Sequence, residues 1–257
     1  MKERNSYHNN GGAFPTLIAI ISMFFVGSAN GGGASVLSAV LLTAIIVLGV
    51  FMTFVASKIL SKTILKGVPS SFTLELPPYR KPQIGKVIIR SVFDRTLFVL
   101  GRAIAVAAPA GLVIWIMANV HIGDMTLLAH CSGFLDPFAR LIGLDGVILL
   151  AFILGFPANE IVIPIIIMAY MAKGNILELD NLSVLKQLFV DNGWTWITAI
   201  SVMLFSLMHW PCSTTLLTIK KETQSLKWTV VSVLVPTVMG IGICFVFATV
   251  ARLISGI

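Results

Sequence analysis

Apolar positions in this chain come in long runs instead of the alternating or 3.6-residue stripes of a soluble fold. Residues 13–27 form a short apolar run, and residues 28–33 (SANGGG) form a turn. Residues 34–56 are apolar for long enough to cross a bilayer, which takes about 20 residues. Lys58, Lys62 and Lys66 follow that run. Residues 70–82 read as an irregular linker, with Pro77, Pro78 and Pro82 barring helix. Over residues 86–102, Ile88, Ile89, Val92 and Phe93 are interleaved with Lys86, Arg90 and Arg95, which predicts an amphipathic helix in the membrane interface. Residues 103–118 cross next, and 121–145 read as a mixed loop. Residues 147–171 are apolar but broken, 173–191 form a polar loop, and 194–218 are apolar and broken at Pro211. A short basic loop, 220–227, leads to a last span over 228–251, kinked at Pro236. The expected fold is all-α: a polytopic transmembrane helical bundle with broken or re-entrant helices. It divides into N-terminal membrane helices (1–60), a cytoplasmic linker with the interfacial helix (61–102), and a transmembrane domain with C-terminal helices (103–257).

Composition supports a membrane protein. Hydrophobic residues make up 57% of the chain and charged residues only 11%, against about 25% charged in soluble domains. The 257 residues suit one membrane domain of roughly five or six crossings. A net charge of +7 raises nucleic acid as a partner. The basic residues cluster beside apolar runs, however, where they set orientation and meet lipid headgroups. No zinc-finger, helix-turn-helix or RNA-binding signature accompanies them, so nucleic acid is rejected. Cys131, Cys212 and Cys244 are too few and too scattered for a disulfide framework. A cleavable leader is disfavoured by the polar stretch at residues 7–12.

Basic loops set the orientation. Residues 58–102 carry nine Lys or Arg against Glu75 and Asp94, which places them in the cytoplasm. Residues 121–145 carry Arg140 against Asp124, Asp136 and Asp145, which places them outside. Lys220, Lys221 and Lys227 against Glu222 return the next loop to the inside. Two simple crossings over 147–171 and 194–218 would put that loop on the wrong side. One segment therefore enters and leaves on the same face. Residues 147–171 are the better choice, because Gly155, Pro157 and Pro164 interrupt them.

Broken helices at membrane depth occur where protein or a water-filled cavity receives the freed backbone, and transporters build ion sites from them. The first break is Gly155-Phe156-Pro157-Ala158-Asn159-Glu160. A carboxylate in an apolar run costs at least about 2.5 kcal/mol and by default marks function. The bland alternative is that Glu160, in the first turn after Pro157, complements a helix dipole. Facing a pathway is the preferred reading. The second break is Met208-His209-Trp210-Pro211-Cys212-Ser213-Thr214-Thr215. Ser206, His209 and Cys212 are spaced by three and would share one helix face, offering hydroxyl, imidazole and thiol to a borderline metal such as Fe(II). Cys212 reads equally well as a small packed residue. His209 reads first as an imidazole bonded to a carbonyl and second as a ligand. Asn159 adjoins Glu160 and joins the candidate path, while Gly155, Pro157 and Pro211 shape the backbone. His121, His130 and Cys131 read as loop residues, and Cys244 as packing. Phosphate-loop, hydrolase and zinc-protease motifs are absent from the sequence, so no enzyme is expected.

Four segments together are distinctive: Glu75-Leu76-Pro77-Pro78-Tyr79-Arg80-Lys81-Pro82, Gly155–Val162, Trp210–Leu216 and Lys220-Lys221-Glu222-Thr223. In order and spacing they resemble the C-terminal half of the ferrous iron transport protein B family. The resemblance implies a multi-pass bacterial cytoplasmic (inner) membrane protein that carries Fe(II) as its transported ion and binds no cofactor stably. It implies that residues 155–162 belong to the second of two nucleoside-recognition-like gates, with Glu160 and Cys212 at the matching polar positions. Residues 14–27 would be a remnant of the first gate, without cysteine or charge. Family members begin with a GTP-binding domain, and this chain has no GTP site. The lipid bilayer, a complementary membrane half and a separate GTP-binding domain or subunit are therefore the expected partners. The ligand types themselves would also suit Zn(II) or Mn(II). The alternative readings are a gate-domain membrane protein that transports no iron and a nonfunctional fragment.

Overall fold

Inside a bilayer every backbone N–H and C=O must find its partner within the protein, and helix satisfies that requirement locally. The computed structural model describes residues 14–26, 32–63, 85, 98–123, 125–157, 159–171 and 182–256. The linker at 70–82, the interfacial helix over 86–97 with Asp94, and most of the turn at 28–33 lie outside the described residues.

The elements follow in chain order. Helix α1 (Phe14–Ile21) runs into a π-helical turn (Ser22–Val26), followed by α2 (Gly32–Thr63) and α3 (Phe98–Asn119). A two-residue hairpin, β1 (His121–Ile122) with β2 (Met125–Thr126), precedes α4 (Leu127–Leu141) and α5 (Gly146–Leu154). A 3₁₀ turn (Asn159–Ile161) then leads into α6 (Val162–Met171). Helices α7 (Leu182–Asp191), α8 (Trp196–Met208), α9 (Ser213–Thr223) and α10 (Leu226–Ser255) complete the chain. The protein is an all-α multi-pass membrane bundle. Helices of spanning length and apolarity cover Ser38–Lys62, Trp196–Thr223 and Leu226–Ser255, and α4 with α5 forms a bent pair that could make a further span.

Burial separates two kinds of apolar helix. Helix α5 is buried from Gly146 to Phe152 and packs between α4 and α6. Helices α2 and α10 are also apolar yet mostly uncovered, with Phe51 at 59% and Val238 at 64% exposure. Apolar surface of this extent belongs against lipid. The core also takes in the N-terminal run: Leu17, Ile20, Ile21 and Met23 are buried, and Phe24 stacks on Trp194 at 5.8 Å between ring centroids.

Several expectations change. Residues 121–145 are no loop but a hairpin and a helix, α4, whose first turn is capped by the Thr126 hydroxyl accepting from Ala129 N–H. Polar residues 173–191 include α7 from Leu182 onward. A bend of 108° lies between α4 and α5, ahead of the Gly155–Pro157 interruption. Gly146 makes that corner possible, since a Cβ there would come within 1.9 Å of the Ser132 carbonyl oxygen. Asp145 ties the corner to the core. Its carboxylate accepts from Ile148 N–H and from the Tyr170 hydroxyl, and Tyr170 in turn accepts from Trp194 Nε1–H at 2.8 Å.

Candidate functional site

Each break begins where the sequence ends a helix. Helix α5 stops at Leu154, and Gly155 caps it with φ −72° and ψ 0°. A Cβ on Gly155 would lie 2.5 Å from Val162 Cγ2 and 2.9 Å from the Ala151 carbonyl oxygen, so glycine lets the two arms close up. Pro157 follows, and the chain resumes helix at the 3₁₀ turn that carries Asn159 and Glu160. Helix α8 stops at Met208, and His209 is extended with φ −71° and ψ 176°. Pro211 holds Trp210 away from helix. Cys212 then caps α9 with φ −62° and ψ 158°. These extended residues separate α8 from α9, so Ser206, His209 and Cys212 do not share the continuous helix face that their spacing suggests.

The breaks meet one another. Ser213 N–H, the first amide of α9, donates to the Phe156 carbonyl at 2.9 Å. The Ser213 hydroxyl donates to the Pro157 carbonyl at 3.4 Å. One residue of the second break thus satisfies two carbonyls freed by the first.

His209 is buried at 3% exposure, among Phe152 at 5.1 Å, Trp210 at 5.8 Å and Phe205 at 6.1 Å between ring centroids. Its Nδ1 lies 2.9 Å from the Ser206 carbonyl oxygen. A carbonyl only accepts, so Nδ1 carries the proton, and Nε2 of the neutral ring keeps its lone pair. Among the described residues nothing bonds Nε2, and nothing bonds the buried Asn159 Oδ1. The Cys212 thiol is half-buried, 3.1 Å from both the Thr214 and Thr215 hydroxyl oxygens. The side chain of Glu160 lies outside the described residues. Among the described residues no three His, Cys, Asp or Glu side chains gather into a metal-holding group. Cys244 is buried in packing, and His121 and His130 bond to the carbonyls of Asn119 and Ile122.

Residues 42–94 match the family model for the ferrous iron transport protein B C terminus, and residues 100–226 match that for nucleoside recognition. A Staphylococcus aureus (strain MSSA476) protein named Fe(2+) transporter FeoB is 30% identical over 218 residues, covering 80% of this chain and 31% of the relative. A Leptospira interrogans protein of the same name is 25% identical over 263 residues, covering 94% of this chain and 37% of the relative. The chain carries a ferrous iron transport protein B C-terminal region followed by a nucleoside-recognition region. A Synechocystis relative of that name is 27% identical over 197 residues, covering 76% of this chain and 31% of its own length. The chain thus spans about a third of the length of these curated relatives. No solved structure matches it.

Both breaks fall inside the nucleoside-recognition match. Reasoning from the sequence finds each break by its proline but misses Ser213, which joins them. A serine beside a cysteine and two threonines carries no periodic signal, and its carbonyl partners lie 56 and 57 positions earlier.

Proposed function

We propose that this chain forms part of a path for ferrous iron across a bacterial cytoplasmic membrane, with the paired breaks as its narrow point. The observation that carries the reading is the Ser213 N–H to Phe156 carbonyl bond, which holds the two interruptions side by side. The joined breaks then carry an imidazole with an open Nε2, a thiol and an amide oxygen. His209, Cys212, Asn159 and Glu160 are their polar groups, and Gly155, Pro157 and Pro211 set the backbone. Fixing Nδ1–H on a main-chain carbonyl is how metal-binding histidines are commonly held in the ligating tautomer. Fe(II) as the ion follows from the relatives, which are named Fe(2+) transporters, and the thiol and imidazole suit a borderline metal. Sparse ligation suits transport, since an ion that binds too tightly does not leave. The partners proposed with it are the lipid bilayer, a complementary membrane half and a GTP-binding domain or subunit. No bond-making chemistry is assigned to the chain.

The test is radiolabelled Fe(II) uptake in cells lacking their own ferrous transporter, with this chain expressed beside its genomic neighbours. Cys212→Ser and Glu160→Gln should each lower uptake about 10–100-fold at unchanged protein level, the range seen when a metal site loses one supporting group. Unchanged uptake in both variants would refute the path.

A further inference from the structure

Helices α2 and α10 do not close against each other along their full length. Between them lies a groove of about 670 Å³, walled by Leu48, Met52, Val55 and Ile59 of α2, by α10 from Met239 to Val250, and by Leu204 of α8. Its walls are apolar throughout. At Gly242 the wall is thin, since among the described residues a Cβ there would meet nothing within 4 Å.

The groove's length restricts its occupant. From Leu48 to Ile59 the helix rises about 17 Å. That is close to one leaflet, half of a hydrocarbon core about 30 Å thick. A transmembrane helix would need nearly twice that length, whereas one acyl chain needs no more. The polar end fits the same occupant. The groove-facing stripe at positions 48, 52, 55 and 59 continues by helical spacing to Lys62, and Lys58 adjoins Ile59. Both lysines are exposed and close the apolar span Ser38–Lys62, the depth at which lipid phosphates sit.

We propose that this groove holds one acyl chain of an anionic phospholipid, with the lipid phosphate against Lys58 and Lys62. The groove's lining shares no residue with the proposed ion path.

Native mass spectrometry of the purified full chain tests this, with detergent micelles titrated by phosphatidylglycerol or by phosphatidylcholine of the same acyl composition. One phosphatidylglycerol should be retained at least about tenfold more tightly than phosphatidylcholine. Lys58→Gln with Lys62→Gln should reduce phosphatidylglycerol binding to the phosphatidylcholine level. Gly242→Phe should fill the groove and weaken both lipids, and Val246→Trp serves the same purpose should Gly242→Phe fail to fold. Equal retention of the two lipids, or retention unaffected by filling the groove, would overturn the proposal. So would Val246→Cys cross-linking two copies through this face in native membranes.

Discussion

At the scale of single residues, the site depends on which polar groups remain unspent. His209 spends Nδ1 on the Ser206 carbonyl and keeps Nε2. Cys212 caps α9 without a capping bond from its side chain. Ser213 offers the sharpest local test. It occupies the first position of α9, where proline is well tolerated because that amide has no partner within the helix. Ser213→Pro should therefore leave α9 intact while removing the N–H that reaches Phe156, together with the hydroxyl. Leaving that carbonyl unpaired should cost about 1–3 kcal/mol and depress iron uptake. Thermal unfolding in detergent and uptake together check this, and a variant as stable and active as the parent would deny the bond its role. Ser213→Ala keeps the N–H and should have a much smaller effect, since the hydroxyl contact is long at 3.4 Å.

At the scale of elements, the corner between α4 and α5 depends on Gly146. Its Cβ would enter the space of the Ser132 carbonyl, a backbone atom that cannot turn aside. Gly146→Ala should destabilise the protein by at least about 1–3 kcal/mol, read as a lowered unfolding temperature in detergent. An unchanged temperature would mean that the corner yields. The same region shows what the sequence discloses and what it hides. The runs within α2 and α10 are legible because no charged residue interrupts positions 34–56 or 228–251. Proline marks both breaks. Helix α4 reads as a loop because His130, Asp136, Pro137 and Arg140 dilute it. Its apolar residues at 128, 131, 135, 139 and 142 face the core, and Thr126 caps it. Helix α7 is hidden in the same way by Lys186, Gln187 and Asp191, although Leu185, Leu188 and Phe189 recur at helical spacing. Neither the 108° bend nor the meeting of the breaks is legible, because both rest on contacts between residues far apart in sequence.

At the scale of the whole molecule, a buried core of α1, α5, α6 and α8 is flanked by α2 and α10, whose outer faces are apolar and uncovered. The chain spans about a third of its curated relatives. Iron uptake is expected when the chain is expressed with its genomic neighbours. The central claim is that the two breaks form a single ion path. The most direct measurement is the rate at which a thiol reagent modifies Cys212 in membranes, in a Cys131→Ser, Cys244→Ala background, with and without Fe(II) under reducing conditions. The account predicts that Fe(II) slows the modification, and that Glu160→Gln, on the other break, abolishes the protection. A rate indifferent to Fe(II), or protection that survives Glu160→Gln unchanged, would contradict it.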